Sequence, residues 1–272
     1  MLANLPDSYP ELVKASADWQ HPPPADCLAG RQVLVTGAGA GIGCAAAKTL
    51  ACYGANVILL GRTRSRLETV FDWISNHTET SPVIVPCDLE GLADDNAKAL
   101  AEAIDEAFGE LHGILHNASL LGPKLPLAHY PSAEWQRVFQ VNVHSVQTLN
   151  RELQPLLTHE QGSTVVFTSS SVGRKGRAFW GAYAASKFAL EGLMQVFADE
   201  VENTTTIKAV SLNPGGTRTA MRAAAYPAED PQTVPLPEAH MDLYVQLFRA
   251  HPGVAQAAQL DVREPSSRTW IK

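Results

Sequence analysis

Thiols are scarce in this chain and none is paired by spacing. Four cysteines, Cys27, Cys44, Cys52 and Cys87, are scattered through 272 residues without a C-x-x-C pair, and the nine histidines form no metal-ligand pattern with them. A structural zinc site draws on such pairs at short fixed intervals, so no metal is expected. Isolated thiols suit a reducing compartment, and the expectation is cytoplasmic. An excess of basic residues is also lacking. The formal net charge of −7 gives no general attraction for nucleic acid or an anionic membrane. No apolar run approaches the roughly 18 residues of a membrane-spanning helix. The opening MLANLPDSYPELVKASADWQHPPP has neither a basic start nor a compact apolar run, so it does not read as a signal peptide.

What is present is ordinary globular composition, 45% hydrophobic and 18% charged, well able to bury a core. Residues 1–29 stand apart. Pro22 to Pro24 forbid a helix and favour an extended arm, expected to pack on the surface or on an oligomer neighbour, or to be disordered. From Arg31 onward, short apolar runs (QVLVT, NVILL, PVIVP, HGILH, STVVFT, IKAVSL) alternate with helical patterns such as CAAAKTLACYG and NAKALAEAIDEAFG. The runs are rich in Val and Ile, as fully buried parallel strands are, and each of these two helical patterns ends in glycine. The alternation predicts one α/β domain over 30–272, a doubly wound parallel sheet with helices on both faces. In such sheets ligands bind beyond the carboxyl ends of the strands.

After the first run comes Thr36-Gly37-Ala38-Gly39-Ala40-Gly41-Ile42-Gly43, which departs from G-x-G-x-x-G but fits T-G-x-x-x-G-x-G. Glycines let backbone approach a pyrophosphate whose charge rests on helix N-terminal amides. Gly37, Ala40, Gly41, Ile42 and Gly43 are therefore candidate cofactor-binding residues; the plainer reading is a tight strand-to-helix turn. The second run ends in Gly61-Arg62, with no acidic residue to accept a ribose hydroxyl and repel a 2′-phosphate. That points to NADP(H), with NAD(H) the alternative. Asp88, followed by Leu89, stands where an adenine amino group would reach, and Asn117 where an amide could tie a strand end to cofactor or to a neighbouring strand. Either is also a common turn or cap residue.

The fifth run leads into Ser169-Ser170-Ser171, and Tyr183 and Lys187 lie four apart in YAASK, on one helical face. An ammonium beside a phenol favours the phenolate and makes tyrosine a usable acid or base. A serine at the strand end can polarise a carbonyl as charge develops on its oxygen.

Together, TGAGAGIG, Asn117-Ala118, Asn142, Ser170, YAASK and NPGG resemble the short-chain dehydrogenase/reductase family, over about residues 30 to 262. More narrowly, VFTSSSVGRKGRAFWGAYAASKFALEG and NPGGTRTAMRAAAYPAEDP resemble a bacterial branch, the YciK-type oxidoreductases. The resemblance implies a Rossmann-type fold of about seven strands and hydride transfer between a nicotinamide cofactor and a small carbonyl or alcohol substrate. It also implies a homo-oligomer, tetramer or dimer, built through the helices containing Asn142 and Tyr183. Tyr183 would be the general acid or base, Lys187 would hold the nicotinamide ribose, and Ser170 would bond the substrate oxygen. Asn142 would anchor a proton-passing water. Pro214, Gly215, Thr217 and Thr219 would embrace the nicotinamide.

Two departures stand out: Ser119 replaces the glycine of the usual N-A-G, and QLDVREPSSRTWIK replaces a glycine-rich C-terminus, which puts the last strand in doubt. A substrate loop is expected at about 217–247, containing Arg218, Arg222, Tyr226, Met241 and Tyr244. With Arg174, Lys175 and Arg177 it suggests an anionic substrate, although solvated loop charges are the commoner case. Phe179 and Trp180 are candidate pocket walls. The alternatives are an NAD-linked alcohol dehydrogenase of the same family, a cofactor-binding regulatory protein without turnover, and an isomerase or dehydratase.

Overall fold

The structure, a computed structural model, describes Trp19 and residues 22–271. Most of the arm expected over 1–29 lies outside the described residues. Two of its described side chains anchor it: Trp19 and Leu28 are buried, the Trp19 ring lies 6.1 Å from Tyr53, and its indole N–H donates to the Glu238 carbonyl.

Six strands form where the apolar runs predict them: β1 (Gln32–Thr36), β2 (Asn56–Gly61), β3 (Val83–Pro86), β4 (Gly113–His116), β5 (Ser163–Thr168) and β6 (Ile207–Asn213). A seventh, β7 (Gln259–Asp261), comes from the atypical C-terminus and pairs parallel to β6, with Leu212 opposite Leu260. Every pairing is parallel and the order is β3-β2-β1-β4-β5-β6-β7, so the strand order reverses between β1 and β4. That reversal opens a crevice at the carboxyl ends, where ligands of such sheets bind.

The helices are α1 (Gly41–Cys52), α2 (Arg64–His77), α3 (Asp94–Phe108), α4 (Ser132–Phe139), α5 (Ser145–Leu157), α6 (Gly181–Glu202), α7 (Ala220–Ala225) and α8 (Met241–Leu247). Gly109 closes α3 at φ 72°, the left-handed stop that its position after the periodic run predicts. Successive strand residues point to opposite faces. Val33, Val35, Val57 and Leu59 pack under α1, α2 and α8, whereas Leu34, Ile58, Leu60 and Val165 pack under α3, α5 and α6. None of the described helices is long and apolar enough to cross a membrane.

Two features fell outside the sequence reading. Residues Gln140–His144 form one π turn between α4 and α5, and it carries Asn142. The last seven residues of the expected substrate loop are core: all of α8 is buried, Met241 and Tyr244 at 1% exposure each. Those two side chains pack in the core layer of α1, so they are corrected from loop residues to core residues.

Candidate active site

Two positions of the glycine loop leave no easy room for a side chain. A Cβ added at Gly43 would sit 2.3 Å from the Gly37 carbonyl oxygen, and one at Gly37, whose φ is 68°, 3.0 Å from Ala118 Cα. Ala40 has no side chain with which to cap α1, and the first turn holds no acid. The uncapped amides of that turn therefore suit an anion. Ala40, Gly41 and Ile42 line a cleft of about 310 Å³ that reaches Ser170, Tyr183 and Lys187. A second cleft of about 240 Å³ holds Arg62, Arg66, Asp88 and Leu89. Both share Gly37, Ala40, Ala118 and Ser119, so the glycine loop is the waist of one elongated groove with two ends. Shape and donor set fit a dinucleotide.

Asn117 ties strand to strand: its side-chain amide donates to the Thr36 carbonyl at 3.2 Å, and its backbone N–H donates to the Thr36 hydroxyl at 2.9 Å. That hydroxyl also accepts the Ala118 N–H at 3.0 Å, so one threonine pins the ends of β1 and β4 together. Asp88 accepts the Glu90 N–H, a local turn, while still lining the groove. Arg64 pairs with Glu68 on the outside of α2, but among the described residues neither Arg62 nor Arg66 forms an ion pair. Arg66, which the sequence reading passed over, comes beside Arg62 because Thr63 starts the helix between them.

At the other end, β5 delivers Ser170 and α6 delivers Tyr183 and Lys187. Both α6 side chains are buried, at 8% and 2% exposure, and the Lys187 ammonium lies 5.6 Å from the Tyr183 ring centre. Lys187 donates to the Thr168 carbonyl at 2.7 Å. Burial pushes the Tyr183 phenol up to about 12, with the Ser170 hydrogen bond working the other way. Burial also pulls Lys187 down to about 8, opposed by Glu191. The lowering of the phenol expected from the ammonium is not seen: burial dominates, and the opposing pull comes from Ser170. Desolvation penalises both charged forms, so the Tyr183 phenol keeps its proton at neutral pH.

Asn142 is buried on the π turn. Its amide donates to the Leu120 carbonyl (3.0 Å) and the Ser186 hydroxyl (2.9 Å), and its oxygen accepts the Leu120 N–H (2.8 Å). It therefore knits the segment after β4 to α6, one residue from Lys187. Pro214, Gly215, Thr217 and Thr219 line the same end; Thr217 donates to the Pro214 carbonyl and Thr219 caps α7. The Asp261 carboxylate on β7 accepts from Asn213, whose own oxygen accepts the Gly215 N–H. The unusual C-terminus thus braces the Pro214–Gly215 loop, which no local sequence signal announces.

The basic cluster proposed for an anionic substrate does not assemble as such. Arg174 turns inward onto Glu191 at 3.0 Å, Arg218 donates to the Val234 and Gln232 carbonyls, and Arg222 makes a bidentate pair with Glu229. Trp180 does wall the cleft, 5.8 Å from both Tyr183 and Tyr226, whereas Phe179 is 54% exposed. Far from the groove, Glu110, His112 and His159 gather at the opposite end of the sheet. His112 Nδ1 accepts the Gln32 N–H, which places the ring proton on Nε2 and leaves that nitrogen no lone pair for a metal.

A single parallel sheet, a glycine loop at its switch point and a Ser-Tyr-Lys end to the groove define a nicotinamide-type oxidoreductase scaffold, and the short chain dehydrogenase family model matches residues 31–230. The chain belongs to that family. It is 49% identical to the Escherichia coli oxidoreductase YciK over 226 residues, 83% of this chain and 89% of the relative. Two solved structures are each 45% identical with a TM-score of 0.86, covering 89% of this chain and 100% of the other. They are a Shigella flexneri short chain dehydrogenase complexed with NADP and an Escherichia coli one complexed with NADPH. The fold and the YciK-like resemblance expected from the motifs are thereby shown.

Proposed function

We propose that this protein is an NADP(H)-dependent carbonyl reductase with Tyr183 as its proton donor. The carrying observation is the groove itself, with Ser170, Tyr183 and Lys187 converging at one end and, at the other, Arg62 and Arg66, which form no ion pair among the described residues. Arg62 and Arg66 would hold the 2′-phosphate, which their forked donors suit, and no acid at the end of β2 repels it. The two solved relatives complexed with NADP and NADPH support this choice. The cofactor, when bound, supplies hydride for the carbonyl carbon.

The chain's own residues do the rest. The Ser170 and Tyr183 hydroxyls hold the carbonyl oxygen and stabilise the charge that develops there. Tyr183 gives its proton to that oxygen. Lys187 holds the ribose hydroxyls and, as a cation, eases loss of the Tyr183 proton. Asn142 keeps the π turn against α6 and anchors a water that returns a proton to Lys187. The apolar walls Leu121, Trp180 and Met221 exclude bulk water from the reacting end. Phe188 and Val196, 46% and 57% exposed on α6, are apolar surface suited to a homo-oligomeric contact.

Thermal unfolding with NADP⁺, NADPH, NAD⁺ and NADH tests the cofactor reading. A ligand at about a hundred times its dissociation constant adds roughly 2.7 kcal/mol, so the phosphorylated pair should raise the midpoint more than NAD(H) does. A larger rise with NAD(H) would instead indicate the NAD-linked dehydrogenase, and no rise with any of the four a protein without this activity.

A further inference from the structure

Glu191 is a buried carboxylate that the reaction does not call on directly. It lies on α6 one turn beyond Lys187, with its side chain 5% exposed. One oxygen accepts from Ser169 Oγ (2.5 Å) and Arg174 Nε (3.0 Å); the other accepts from Ser211 Oγ (2.7 Å) and Gln259 Nε2 (3.0 Å). These donors come from the end of β5, the loop after Ser170, β6 and β7. Arg174 extends the web, donating also to Ser211 Oγ (3.2 Å) and to the Leu260 carbonyl (3.0 Å). A charge this deep is tolerated only when paired and fully hydrogen-bonded, and here it is.

We propose that Glu191 and Arg174 are positioning residues that lock the Ser170 segment to the Tyr183–Lys187 helix and hold negative charge beside Lys187. Ser169 is bonded to Glu191 and is the chain neighbour of Ser170, so the carboxylate sets where the Ser170 hydroxyl stands relative to Tyr183. The same loop presses on Lys187: a Cβ at Gly173 would lie 2.7 Å from the Lys187 Cβ. Catalytic hydroxyls must be held to within a fraction of an ångström, and displacement by about 1 Å costs up to a hundredfold in rate. The groups facing Lys187 are Tyr183 and Glu191 on its own helix and the Thr168 carbonyl from β5; Arg174 faces Glu191 from the loop. Glu191 supplies the negative charge that favours the ammonium.

The test uses the full chain with 13Cε-labelled lysine, Lys187 being assigned by the signal missing in Lys187→Arg. In Glu191→Gln the amide keeps the side chain's shape but loses the charge. The Lys187 titration should move to lower pH than in the parent, while in Glu191→Asp, which retains charge, it should stay nearer the parent value. This arm needs no substrate. With NADPH and 4-nitrobenzaldehyde as a neutral carbonyl probe, Glu191→Gln should lower kcat by about tenfold to a hundredfold. The NADPH dissociation constant should stay within about threefold, because the glycine loop and Arg62 lie elsewhere. Arg174→Lys, which loses the fork but keeps the charge, should fall between Glu191→Gln and the parent. An unchanged or raised Lys187 titration, or a kcat loss in Glu191→Gln explained entirely by a smaller folded fraction, would overturn the proposal. Absence of aldehyde turnover in the parent would count against the reductase reading, with the lysine titration still deciding this one.

Discussion

Replacing Gly43 by alanine adds one methyl group at the tightest point of the groove. Its Cβ would stand 2.3 Å from the Gly37 carbonyl oxygen and 2.7 Å from Asn117 Nδ2. Comfortable contact between heavy atoms needs roughly 3.5 Å, so about 1 Å of movement is required. Neither neighbour yields easily, because one is backbone and the other is bonded to the Thr36 carbonyl. Overpacking of this kind costs about 1–3 kcal/mol. Opening the loop relieves it, and the same opening draws the α1 amides away from the phosphates. Since about 1.4 kcal/mol is tenfold in affinity, NADPH should bind roughly 5- to 150-fold more weakly. The assay is NADPH fluorescence titration beside thermal unfolding. Gly192→Ala is the control: a Cβ there meets nothing within 4 Å in the interior of α6, so it should stabilise by roughly 0.5–1 kcal/mol without altering affinity. A Gly43→Ala protein that binds NADPH within about twofold of the parent would refute the argument that this backbone must close on the cofactor.

Other outcomes follow from the same geometry. Arg62→Ala and Arg66→Ala should each weaken NADPH by about tenfold or more while sparing NADH, since a charge-assisted hydrogen bond is worth about 1.5–3 kcal/mol; equal losses for both cofactors in parallel titrations would remove the 2′-phosphate role. Burial holds Lys187 down at about 8, so its ammonium is present below that pH and lost above it. Reduction should therefore decline as pH rises through about 8, and a pH–rate profile flat to about pH 9 would contradict this role for Lys187. Asp261→Ala should loosen the Pro214–Gly215 loop and raise the NADPH dissociation constant severalfold, read by the same titration, with the midpoint of unfolding showing how much of the effect is global.

Strand positions were legible because buried parallel strands are short continuous runs of Val, Ile and Leu, and QVLVT, NVILL and STVVFT formed β1, β2 and β5. The glycine loop was legible because only glycine suits backbone packed as closely as Gly37 and Gly43 are. Long-range pairing was not. QLD carries too few residues to announce β7, whose place is set by pairing with β6 and by the Asn213–Asp261 bond. Arg174 follows the serines in a run of basic residues and looks solvent-facing; only the fold reveals Glu191 waiting on α6. Met241 and Tyr244 read as loop because prolines crowd the sequence before them, and their burial comes from packing in the layer of α1. Likewise an ammonium four residues from a phenol suggests a lowered pKa, but how deeply α6 buries the pair is a tertiary property.

The central claim is that Tyr183 donates the proton, and Tyr183→Phe tests it most directly because it removes one oxygen and keeps the ring between Trp180 and Lys187. NADPH oxidation with the aldehyde probe should fall by at least about a hundredfold, the range of a lost general acid, while NADPH affinity and the unfolding midpoint stay close to the parent's. Turnover within about tenfold of the parent, with cofactor binding intact, would contradict the account and transfer the proton donor's role to another group.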